Sequence, residues 1–288
     1  MRVEAKQFYD AYNALREDAS AKHAGGVSIF ASDGDCDSLC ALKILERLLE
    51  LDSVRHSRFA VSGYDELQKY SDRWLEEEGD EPRAVVLINC GGGEDVRGLF
   101  GLDSLPSTRV FIMDAHRPLH HRNLDQNESQ VLVFQDKDED GGNDEVPGLS
   151  EDDRSSDEDE DDDEDDEEEE DSDGEADGPG GSDRESEGTR GDGDDDRPRA
   201  RRRVGEGGAV DVRRRRDRRN QERKELRRRR AEYYSRGSFY GTAAGCLVYE
   251  LASLRLHKDV TELLWYAAAA YNCPRPRARR PRPRRRRR

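Results

Sequence analysis

Residues 1–135 predict an α/β fold built on a parallel sheet. Three observations carry that prediction. Short apolar runs alternate with helix-period segments, the pattern of βαβ units. One run, Ala84 to Cys90 (A-V-V-L-I-N-C), is apolar almost without a break, as strands buried on both faces are. Three runs end in polar side chains: Asp33/Asp35/Asp37, then Asn89, then Asp114 with His116. In open α/β sheets, that edge is where ligands sit.

Taken in order, Val3, Phe8, Tyr9, Tyr12 and Leu15 fit one face of a leading helix over residues 2–18. Gly25 and Gly26 break it. Val27 to Ala31 reads as the first strand. The helix Cys36–Leu51 follows, with Leu39, Leu42, Ile44, Leu45, Leu48 and Leu49 as the stripe laid on the sheet. Arg58 to Val61 is a weaker strand, ended by Ser62 and Gly63. Tyr64 to Glu78 reads as a surface helix with Leu67, Tyr70, Trp74 and Leu75 turned inward. Ala84–Cys90 stops at Gly91-Gly92-Gly93, where the chain can turn without steric cost. After a short connection, Arg109–Met113 and Gln130–Phe134 complete the strands.

Beyond Phe134 the sheet signal ends. Charged residues make up 40% of the 288 and hydrophobic ones 32%, but the net charge of −18 averages over opposed blocks. Residues 136–196 hold 34 Asp plus Glu against 4 Lys plus Arg, including an unbroken acidic run from Asp157 to Asp171. Such a tract repels itself and is expected to be disordered. Residues 197–230 hold 17 basic against 5 acidic residues, and read as an Arg-rich linker in which any helix is solvated or partner-bound. Residues 231–272 bring Tyr233, Tyr234, Phe239 and Tyr240, then two helices over Thr242–Leu256 and Asp259–Tyr271. Leu251, Leu254, Leu263, Leu264 and Trp265 are their apolar positions. The Pro/Arg tail 273–288 breaks off an apolar helix in mid-pattern, and reads as a truncated or misread frame or, alternatively, as a basic nucleic-acid-binding tail.

Five cysteines without a C-x-x-C pair are expected as structural thiols of a reducing, intracellular protein. There is no N-terminal signal pattern and no apolar window near the length of a membrane span.

The strand-end acids have two readings. Asp35, Asp37 and Asp114 supply hard oxygen ligands and His116 a nitrogen, the set with which phosphoesterases hold Mn²⁺ or Mg²⁺ to activate water. Asp35 or Asp37 equally suits capping of the helix that starts near Cys36. Asn89, a neutral amide, and Ala115 stand where further ligands are expected, so such a site is short of two. His120 and His121 read as a solvated loop. The basic cluster Arg213, Arg214, Arg215, Arg216, Arg218 and Arg219 suits nuclear import or phosphate contacts, with the acidic tract as competitor. Ser155, Ser156 and Ser172 lie in acidic surroundings that suit an acid-directed kinase.

S-D-G-D-C-D-S-L-C-A-L-K-I-L, V-S-G-Y-D-E-L, V-L-I-N-C-G and M-D-A-H-R-P together resemble the cell division control protein 45 family. That family is a degenerate branch of the DHH (RecJ-like) phosphoesterases. E-V-P, the acidic insertion, Y-Y-S-R-G-S-F-Y-G-T and L-L-W-Y-A add to the likeness, which covers about 1–150 and 213–271. The resemblance implies a DHH-type parallel-sheet domain and a non-catalytic, nuclear subunit of the replicative helicase. Its implied partners are the Mcm hexamer, the GINS complex, origin chromatin and single-stranded DNA. It implies no cofactor beyond weak residual Mn²⁺ or Mg²⁺ binding, at a vestigial site of Asp35, Asp37, Asn89, Asp114 and His116. Asn89 stands where active members carry Asp, and Asp114-Ala115-His116 where they carry Asp-His-His. An active Mn²⁺-dependent phosphoesterase or single-strand exonuclease is the alternative, and a nucleic-acid-binding module driven by the arginines is a third reading. Family members continue into a second domain beyond L-L-W-Y-A.

Overall fold

Strands β1 (Arg2–Glu4), β2 (Val27–Ser32), β3 (His56–Val61), β4 (Ala84–Ile88), β5 (Arg109–Met113) and β7 (Val131–Gln135) form one sheet in the order β1-β7-β5-β4-β2-β3. Every pairing in it is parallel. Two short strands, β6 (His116–Arg117) and β8 (Phe239–Tyr240), pair antiparallel outside it. This computed structural model describes residues 1–21, 25–76, 82–127, 129–135 and 206–273, with the backbone alone for 206–217. The acidic tract 136–196, its serines and the 274–288 tail lie outside the described residues.

The sheet is covered on both faces because its central strand is apolar on both. In β4, Ala84, Val86 and Ile88 join the core beneath α1 (Phe8–Ser20), α2 (Cys36–Leu51) and the C-terminal helices. Val85 and Leu87 join a second core with Leu67 and Trp74 of α3 (Tyr64–Glu76) and Val96 and Phe100 of α4 (Val96–Phe100). Successive side chains of a strand point to opposite faces, so a both-face apolar run builds both cores at once.

Several boundaries differ from the sequence expectation. Residues 2–4 are a strand instead of the start of the leading helix: Val3 lies in register with Phe134, and the helix begins only at Phe8. Leu39 is 55% exposed, because two positions before buried Ala41 it falls on the far side of α2. Leu75 is also exposed, and Ser71 takes the inward place between Leu67 and Trp74. The connection after Gly93 contains α4, capped by Asp95, whose carboxylate accepts the Gly98 N–H.

The C-terminal part also departs. The stretch expected as a linker is helical from Glu206, in α5 (Glu206–Ser235). Contacts divide the chain into two units, Glu151–Glu222 and the remainder, Met1–Ser150 with Arg223–Arg288. Residues 231–272 therefore belong to the α/β unit and are not a separate segment. Of the two expected C-terminal helices, the first is α6 (Ala244–Glu250) running into a π-helical turn at Leu251–Arg255. The second is α7 (Leu264–Tyr271) after a 3-10 turn. In the turn after α6, Leu251 is buried and Leu254 exposed. On α7, Leu264 and Trp265 are exposed, because that helix packs on α2 and α6 through Ala267 and Ala270.

Ion pairs seal this packing at its edge. Lys258 bonds the Asp52 carboxylate, which also accepts the Tyr12 hydroxyl, and Arg47 pairs with Glu262. Burial opposes the charge on Asp52, but Lys258 and Tyr12 outweigh it and hold the carboxyl below its ordinary value.

Candidate functional site

β5, β4 and β2 are neighbours and parallel, so their C-terminal ends share one edge. From β2 the chain goes to β3 on one side and returns to β4 on the other. The reversal of strand order thus falls between β2 and β4, where open α/β sheets form their crevice. Asp37, Asn89, Asp114 and His116 meet there.

Asp37 sits in the first turn of α2 and is 5% exposed. Its Oδ2 accepts the Asn89 side-chain amide at 3.0 Å and the Ala244 backbone N–H at 2.9 Å. Its Oδ1 accepts the Gly245 N–H at 2.8 Å. Both backbone donors open α6, so Asp37 caps a helix 207 positions away, where the positive end of the helix favours a carboxylate. Burial pushes its carboxyl above the ordinary value, against the pull of Gly245, Asn89 and Ala244. Gly245 fits because it lacks a side chain: a Cβ there would lie 2.6 Å from Ala270 Cβ.

The local cap of α2 is Asp35, whose Oδ1 accepts the Ser38 N–H at 2.6 Å. Asp33 accepts the Ser62 hydroxyl. Of the two acids read as alternative caps, Asp35 serves its own helix and Asp37 serves another.

Asn89 follows β4 with φ 53°, a left-handed conformation that Asn tolerates better than most side chains. Its amide donates to Asp37, while its Oδ1 accepts the Ala115 N–H at 2.8 Å. Asp114 is 2% exposed. Its Oδ2 accepts the N–H groups of Gly91 and Gly92, and its Oδ1 those of the His116 backbone and ring, both at 2.8 Å. The Gly92 approach needs glycine, since a Cβ would sit 2.8 Å from Asp114 Oδ2.

Burial works against the charge on Asp114, yet His116 and Gly92 outweigh it and hold the carboxyl below its usual value. The same bond raises His116 above 6.5 against the cost of burial. A histidine raised on folding stabilises below its unfolded value, and that stability is lost as pH rises through the folded one. The stability difference between wild type and His116→Gln is therefore expected to shrink as pH rises above 6.5. Urea midpoints measure it, and the His116 ring resonances should titrate above 6.5.

A divalent cation needs oxygen atoms aimed at it. Here both oxygens of Asp37 and both of Asp114 face N–H donors, Asp35 faces Ser38, and the Asn89 oxygen faces Ala115. These residues do not fit such an ion. Among the described residues, no group of three or more His, Cys, Asp or Glu is placed to hold one.

Sequence reasoning missed the residues that close the site. Tyr233 is buried, and its hydroxyl donates to the Leu119 carbonyl at 3.1 Å and accepts the Leu119 N–H at 3.0 Å. Gly241 donates to the Ala115 carbonyl, and Tyr240 pairs with His116 in the β6–β8 ribbon. The aromatic run around Tyr233 was visible, but nothing local told which backbone it meets. His121 bonds the Tyr234 hydroxyl through Nδ1. Arg218 and Arg219 are exposed on α5, where Arg218 pairs with Glu222. Arg213, Arg214, Arg215 and Arg216 lie on the same helix, with side chains outside the described residues.

A family model described as CDC45 matches residues 27–272. The chain is 40% identical over 103 residues to a cell division control protein 45 homolog of Dictyostelium discoideum, covering 35% of this chain and 15% of the relative. With the Homo sapiens homolog it is 30% identical over 263 residues, 91% of this chain and 38% of that protein. The chain thus spans well under half the length of these relatives. Among solved structures, CDC45 from Entamoeba histolytica gives a TM-score of 0.41 at 25% identity, covering 47% of this chain and 25% of that one. RecJ in complex with Mn²⁺ from Thermus thermophilus gives 0.32 at 18%, covering 45% and 17%.

Proposed function

The chain belongs to the CDC45 family, and on that premise we propose that it serves DNA replication as a non-catalytic scaffold subunit of the replicative helicase. Its partners are the Mcm hexamer and the GINS complex, its place of action is origin chromatin in the nucleus, and its roles are initiation and fork progression. One observation supports a scaffold over an enzyme: the acids of the ancestral phosphoesterase edge are bonded to protein N–H groups. Asp37 ties α6 to the sheet, and Asp114 ties the Gly91–Gly92 turn to His116. Side chains that would hold a cation hold the fold together instead.

Titration of the full chain with Mn²⁺ by calorimetry, beside a single-strand nuclease assay, tests this reading. The expected result is no saturable heat and no cleavage. Mn²⁺-dependent cleavage that Asp37→Asn abolishes would establish the phosphoesterase alternative. Pull-down with purified Mcm hexamer and GINS tests the partners separately, and capture of neither overturns the scaffold role. Single-strand binding that survives deletion of 197–230 would count against an arginine-driven nucleic-acid module.

A further inference from the structure

Cys36 opens α2 and is exposed, whereas Cys40, one turn on, is buried against Ala243 and Ala270. Of these two, the expectation of structural thiols therefore suits Cys40 alone. The two Sγ atoms are 3.8 Å apart and share a thiol hydrogen bond. Helix geometry sets Cα atoms four residues apart at roughly 6 Å, inside the span a disulfide can bridge. Cβ atoms one turn apart on a helix stand about 5–6 Å from each other, against about 3.5–4.5 Å in a disulfide. Closure therefore also needs the first turn of α2 to open around Cys36, with no movement between elements.

We propose that Cys36 and Cys40 are a reversible redox pair that closes to an intrahelical disulfide under an oxidised glutathione pool. The exposed Cys36 thiolate attacks one sulfur of glutathione disulfide, forms a mixed disulfide and releases one glutathione thiolate. Cys40 then gives up its proton and attacks the Cys36 sulfur, expelling the second glutathione. Both thiol protons and two electrons thus pass to glutathione disulfide, which becomes two glutathione molecules.

The order of attack follows from burial. Desolvation, helped by the hydrogen bond and charge of Cys36, pushes the Cys40 thiol up to about 12, so it is a poor first nucleophile. The mixed disulfide removes the charge of Cys36 and with it that part of the obstacle. Cys90 does not compete, because it is buried and donates to the Phe30 carbonyl.

The test treats the full chain with glutathione disulfide, blocks remaining thiols and maps the tryptic peptide 23–43, which holds Cys36 and Cys40 and no other cysteine. The expected product is that peptide with an internal disulfide, reopened by dithiothreitol. Cys36→Ser should leave Cys40 reduced, and Cys40→Ser should leave a lasting glutathione adduct on Cys36. Wild type that retains glutathione on Cys36, or joins Cys40 to Cys273, would overturn the pair, as would recovery of both thiols unoxidised. Exposed Cys36 tolerates serine without loss of packing, so that variant reports chemistry and not folding.

Discussion

Asp37→Ala is expected to cost about 3–5 kcal/mol, because it strands three buried donors, each of which carries its own desolvation penalty. Those donors are the Asn89 amide and the N–H groups of Ala244 and Gly245. The loss should be regional before it is global. Amide exchange across 244–271 should quicken first, since α6 and α7 lose their tie to α2, while the apolar strands β4 and β5 keep their protection. Asp37→Asn retains one acceptor oxygen but turns an NH₂ toward the remaining donors, so it should recover only part of the loss. Urea midpoints and hydrogen exchange on the full chain measure both. Uniform loss of protection across sheet and helices would mean that Asp37 does not act as the link to α6.

Asn89→Asp is expected to destabilise by about 2–4 kcal/mol near neutral pH, although it swaps nearly isosteric side chains. The change deletes the donor 3.0 Å from Asp37 Oδ2 and sets a second carboxylate there. Two acids at that distance cannot both ionise cheaply, so one takes a raised folded pKa. A carboxyl raised on folding makes stability fall as pH climbs from its unfolded toward its folded value. Acidification should therefore shrink the penalty, as a shared proton restores an O–H···O bond. Denaturation at about pH 4 and about pH 7 reads the slope. Mn²⁺ should not rescue the variant, because Asp37 Oδ1 stays bonded to Gly245. Rescue by Mn²⁺ would show a metal site one ligand short instead of a closed one.

The parts of the fold legible in the sequence were those with a strong local pattern. β4 is readable because five consecutive buried residues (Ala84–Ile88) leave a run that no surface strand has. α2 is readable because its apolar stripe covers four turns, even though Leu39 lies off it. β1 was hidden, since three residues carry no usable period and their partner Val133–Gln135 lies more than a hundred positions away. α4 and the β6–β8 pair were hidden for the same reason of length. The exposure of Leu264 and Trp265 was illegible because an alanine-rich helix shows no apolar face until its neighbours select one.

At the strand ends, the sequence by itself determined that acids from β2 and β5 and an amide from β4 would share an edge. Parallel βαβ connections bring strand ends to one side whatever the rest of the chain does. It also determined that this set lacks carboxylate at Asn89 and a ligand at Ala115. Only the tertiary structure decided what those acids do. A carboxylate in a strand–turn–helix segment can cap its own helix, bind an ion or cap a distant helix, and all three look alike locally. The choice rests on which donors arrive, and those of Ala244 and Gly245 come from 207 and 208 positions along the chain. Hydrophobic period is a property of neighbours in sequence, whereas satisfaction of a buried charge is a property of neighbours in space.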